Sequence, residues 1–145
     1  MSHSTVIKST AFLASWILLA IPVAAHNVEI SNEIAATFHI TPDHNPRARN
    51  ESQAWFALTL RGGKSVALSE CNCKLNIYAV PRREHAEPVL QPKLVAIDAE
   101  KYQEVPGATV VFPQEGAYEL EFSGKAKDNR SFSPFKLTYT VNVRP

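Results

Sequence analysis

Two groups of side chains in this sequence have the types and spacing to do chemistry. The first is His26, His39 and His44, the latter two bounding the segment His39-Ile-Thr-Pro-Asp-His44, which also holds Asp43. A chain beginning at His26 would carry a free α-amine beside an imidazole, two nitrogens able to chelate one metal ion. A second histidine, from 39 or 44, would complete a nitrogen-rich planar brace of the kind that suits Cu(II). The plainer alternatives are a solvated histidine on an outer strand face and a polar turn whose Asp and Asn cap backbone amides.

The second group is Cys71-Asn-Cys73. On an extended strand these side chains share a face with α-carbons about 6.7 Å apart. That is near the upper limit for a disulfide, so closing one requires a bulge or turn at Asn72. Two thiolates leaning together would instead suit soft Cu(I) or Zn(II). Thiolate metal site, disulfide and inert buried thiols all stay open at this point. A thiol oxidoreductase is a further possibility, although no neighbouring residue marks a tuned redox site. No glycine-rich phosphate loop, GxSxG elbow or HExxH helix occurs.

The elements that must position these groups are strands. Met1 to Thr10 is polar, and Ala11 to Ala25 is apolar apart from Ser15 and Pro22. Fifteen apolar residues fall short of the ~20 needed for a span. Val23 and Ala25 suit cleavage before His26, so 1–25 reads as a signal peptide and 26–145 as the mature domain. An uncleaved segment would instead anchor the chain to a membrane. Export leads to periplasm, thylakoid lumen or medium, where disulfides persist.

Beyond residue 26 the hydrophobic pattern has period two. Ile34, Ala36, Phe38 and Ile40 form one row, and Ala54, Phe56, Leu58 and Leu60 a second, with Trp55 on the opposite face. Cys71, Cys73, Leu75, Ile77 and Ala79 make a third. Residues 81–93 read as a surface loop, and short strands are expected over 93–98 and 108–112. Tyr118, Leu120 and Phe122 follow Gly116, a start that matches a tyrosine corner. Phe135, Leu137, Tyr139, Val141 and Val143 make the clearest row. Seven to eight strands in about 120 residues specify an all-β, immunoglobulin-like antiparallel β-sandwich. Without residues 1–25 and their one charge, Lys8, 14 basic side chains balance 14 acidic ones. A neutral surface offers no general field for nucleic acid, and export disfavours nucleotide-dependent chemistry.

Asn45-Pro-Arg-Ala48, Gln53-Ala-Trp-Phe-Ala-Leu58, Val111-Phe-Pro-Gln-Glu-Gly-Ala-Tyr118 and Ser133-Pro-Phe135 follow one another in order. Together they resemble the secreted immunoglobulin-like domains of the YtkA-like and CopC-like type, and more closely uncharacterised exported proteins of cyanobacteria. The resemblance covers most of 26–143 and implies an extracytoplasmic sandwich, with copper carriage in some branches. In the CopC type the mature N-terminal histidine is a Cu(II) ligand, a position His26 matches. The methionine-rich Cu(I) site has no counterpart, Met1 being the only methionine, and no histidine follows His85.

The reading is an exported, non-enzymatic domain that binds a transition metal, copper foremost, for carriage or assembly of a metalloprotein. Its candidate ligands are Cys71, Cys73, His39, His26 and His44. The rival is a metal-free interaction module of the cell envelope, whose partner would cover Trp55. Two observations discriminate: an inward-facing, covered cysteine pair weakens metal exchange there, and an exposed patch at Trp55 without convergent histidines favours the module.

Overall fold

The computed structural model describes residues 27–145. Residues 1–25, expected to be a signal peptide, and His26 lie outside the described residues. Among the described residues nine strands run in the order β1 (Asn27–Ser31), β2 (Ile34–Ile40), β3 (Glu51–Leu60), β4 (Ser65–Val66), β5 (Cys71–Ala79), β6 (Val95–Ala99), β7 (Tyr102–Val111), β8 (Gly116–Ala126) and β9 (Phe135–Val143). One sheet has the order β1-β2-β3-β7-β6, with β4 on the end of β3, and the other is β5-β8-β9. All strand pairs are antiparallel. With β1 and β4 set aside, four strands face three in the arrangement of constant-type immunoglobulin domains. The expected β-sandwich is the fold.

The rows expected from alternation make the core. Ile34, Ala36, Phe38 and Ile40 of β2 face Leu75 and Ile77 of β5, Leu120 and Phe122 of β8, and the odd residues of β9 across the gap between sheets. Phe56 and Phe122 stack with ring centres 4.3 Å apart, and Phe38 lies 4.7 Å from Tyr139. The buried Tyr139 hydroxyl donates to the Ala36 carbonyl at 3.0 Å, a polar tie from one sheet to the other. Burial pushes its phenol pKa up, since the phenolate would sit away from water. The tyrosine corner forms as expected, Tyr118 Oη donating to the Gln114 carbonyl at 2.9 Å.

Three local departures from the sequence reading have physical causes. β1 joins the sheet as an edge hairpin with β2. β7 starts at Tyr102 rather than near 108, because a two-residue turn with Glu100 at φ 54° reverses the chain directly after β6. Loop 81–93 does not only skirt the surface: Ile77 N–H donates to Leu90 O at 2.9 Å and Val89 N–H to Ile77 O at 2.8 Å. These bonds cover part of the free edge of β5, which would otherwise offer unpaired backbone groups.

Candidate functional site

Strand alternation turns His39 to the outer face of its sheet, directly opposite Trp55 in the β2–β3 register. The two rings stack at 5.3 Å with 22° between planes. After Ile40 the chain folds back sharply, with Asp43 and His44 at φ 45° and 57°. His44 N–H donates to Ile40 O at 2.8 Å and Asn45 N–H to Pro42 O at 2.7 Å. This turn returns the His44 ring to the end of β2, 4.7 Å from the His39 ring and 5.7 Å from Phe38. The arrangement is braced from outside: Arg144 Nη2 donates to Asn45 Oδ1 at 2.9 Å, and Gln53 N–H to Thr41 Oγ1 at 2.8 Å. Both histidines are half-buried, and His39 Nδ1 and His44 Nε2 are shut from solvent.

Two imidazoles on one metal, with bonds of about 2.0 Å, hold their ring centres roughly 4.5–6.5 Å apart. The His39–His44 spacing lies inside that range. The structure thus brings together two of the five candidate ligands. Among the described residues, no group of three or more His, Cys, Asp or Glu side chains converges. His26, the residue before Asn27, lies outside the described residues; Asn27 itself pairs with Phe38, the neighbour of His39.

The cysteines stand apart from the histidines. Cys71 and Cys73 are joined to each other as a disulfide, with α-carbons 5.3 Å apart. The strand contracts locally from its extended spacing, which is how the ring closes without a turn at Asn72. A bonded pair offers no thiolate, so in this state neither sulfur is a metal ligand of the kind expected. Nor can they share a site with the histidines. Cys73 lies opposite Gly124, which lies opposite Phe135 at the start of β9, whereas loop 41–47 is tied to Arg144 just past its end. Nine residues of strand at ~3.3 Å each separate the two by about 30 Å.

Gly124 is what admits the disulfide. A Cβ there would stand 2.7 Å from Cys73 Sγ and 2.8 Å from Cys71 Sγ. The sequence held no signal for this, because Gly124 is 51 positions beyond Cys73 and is named only by the β5–β8 register.

Trp55 is 4% exposed, and its cover is the chain itself. Ile97, Ala99 and Tyr102 from the β6–β7 hairpin pack on it, the Tyr102 ring at 5.8 Å. Gly107, opposite Trp55, leaves the room that Ile97 occupies, since a Cβ there would meet Ile97 Cδ1 at 2.6 Å. An outside partner is therefore not required at this tryptophan.

On the outer face of the three-stranded sheet, Glu121 is 7% exposed although strand alternation turns it away from the core. Arg82 Nη1 reaches Glu119 at 2.7 Å and Glu121 at 2.9 Å, and its guanidinium lies 3.5 Å over the Tyr78 ring. Its hydrogen bonds to the Glu121 and then the Glu119 carboxylate hold the Arg82 proton more tightly than usual. The network fastens loop 81–93 to the sheet and leaves Arg82 engaged.

No protein-family model, curated protein or solved structure matches this chain.

Proposed function

We propose that this chain is an exported, non-enzymatic β-sandwich that binds a transition metal, copper foremost, through His39 and His44. The observation that carries the reading is the return of His44 onto His39 by a braced turn, at a spacing one metal ion can bridge. Imidazole nitrogens suit Cu(II), and a chain cut before His26 would add an α-amine and a third imidazole to the donors. The cysteines drop out of this ligand set while they are bonded to each other. The role is metal carriage or delivery to a metalloprotein outside the cytoplasm.

The test is Cu(II) titration of protein exported by its own signal, followed by calorimetry and electron paramagnetic resonance, with intact mass reporting the cut. His39→Ala and His44→Ala are each expected to weaken binding at least about 100-fold and to remove nitrogen hyperfine structure. Cys71→Ala/Cys73→Ala should retain the affinity, and His26→Ala reports whether the N-terminal residue contributes. Unchanged affinity in a His39→Ala/His44→Ala chain would sink the reading.

A second reading, the metal-free envelope module, has one observation in its favour. Val28 and Ile30 of β1 are 55% and 73% exposed on an edge strand. A partner seated there would be lost on Val28→Lys/Ile30→Lys substitution with metal binding intact.

A further inference from the structure

We propose that Cys71–Cys73 is a thiol–disulfide exchange centre, reduced by an external dithiol that attacks Cys73. Three observations point to it, none of which the histidine site uses. First, the bond fastens nothing that is otherwise loose. It links positions two apart on one strand, and that strand is already paired with β8 from Cys71 opposite Ala126 to Ala79 opposite Tyr118. Stabilisation by a crosslink grows with the loop it closes, and this loop contains one residue. Second, the two sulfurs differ in access. Cys71 belongs to the core at 5% exposure, whereas Cys73 is half-buried and lines an open groove of about 580 Å³. Third, Gly124 stands against both sulfurs with no side chain of its own, and the groove runs from it to Pro134 and Phe135. That apolar wall suits a peptide carrying the thiolate, whereas Lys74 and Lys125 alternate to the other face of the sheet from Cys73. The nearby carboxylate of Glu70 is turned to its own turn, accepting from Ala67 N–H at 3.0 Å and lying 3.9 Å from Lys64 Nζ.

In the first step a substrate thiolate bonds to Cys73 Sγ. The Cys71–Cys73 bond breaks and its electron pair leaves on Cys71 Sγ, which takes up a proton. The second substrate thiolate then attacks its own sulfur in the mixed disulfide and expels Cys73 as a thiolate. One chain accepts two electrons, and the dithiol becomes a disulfide.

The experiment mixes the oxidised full chain, purified without reductant, with a reduced peptide bearing two cysteines, or with glutathione at equal thiol concentration. Acid quenching, alkylation and intact mass follow the reaction. Under native conditions the peptide should open the bond. Offered a one-cysteine peptide activated as its 2-pyridyl disulfide, Cys71→Ala should form the peptide adduct on Cys73, releasing pyridine-2-thione, at least about tenfold faster than Cys73→Ala forms one on Cys71. Faster reduction by the peptide supports a dithiol substrate, and faster reduction by glutathione at equal thiol concentration overturns it. A bond that resists both thiols when folded, yet opens in urea, overturns the proposal. So does a melting point lowered by more than about 15 °C in Cys71→Ala/Cys73→Ala, which would make the bond a staple of the fold.

Discussion

At the scale of single residues, Gly124 shows how a side chain that is absent can govern chemistry on the facing strand. Gly124→Ala puts a methyl group within 2.8 Å of both sulfurs. The expected cost is about 1–3 kcal/mol, the range for overpacking a filled site. It should shrink when Cys71 and Cys73 are both alanine, and urea midpoints of the four chains in that cycle check the coupling. The same scale explains what the sequence left open. Alternation placed His39 outward, but the direction of His44 depends on left-handed backbone at Asp43 and His44, residues that carry no glycine to announce it. Disulfide and thiolate pair could not be separated at Cys71-Asn-Cys73, because the choice turns on a local contraction of the strand and on Gly124.

Elements tell a different story, since strands whose alternate residues enter the core announce themselves. β2, β3 and β9 were legible because Phe38, Phe56 and Tyr139 sit in unbroken rows of alternate buried residues. β1 was not legible: its apolar residues, Val28 and Ile30, are exposed, so burial imposed no pattern on it. β7 was cut short in the reading by Pro106 and Gly107, two residues that usually break strands and here accommodate β6. The β8–β9 connection yields a pH prediction. Asp128 accepts from the Ser131 hydroxyl and from Arg130 and Ser131 N–H, which pull its carboxyl from 3.8 to about 2. A carboxyl depressed on folding contributes stability fully above its unfolded value, and that contribution is lost as pH falls through the folded one. Between about pH 4 and pH 2 the midpoint of urea unfolding should therefore drop, and Asp128→Asn should flatten that drop. Glu33 adds to the same limb, its carboxylate being lowered chiefly by the backbone N–H of Ser133.

The whole molecule is held by partners far apart in sequence. Asn32 Nδ2 donates to Pro134 O at 2.9 Å, Ser133 N–H to Glu33 Oε1 at 2.6 Å and Lys136 N–H to Ser31 Oγ at 3.4 Å, each across a hundred or more residues. β9 supplies Leu137, Tyr139, Val141 and Val143 to the core as well. A chain ending at Pro134 should consequently stay unfolded, with no near-ultraviolet circular dichroism and no cooperative melting. These ties also set an order of events. For a polypeptide threaded through a pore with its beginning first, the opening hairpin emerges long before the strand it needs. Strand β9 is thus the clasp of the fold, fastening the opening hairpin only once residues 133–139 are in place.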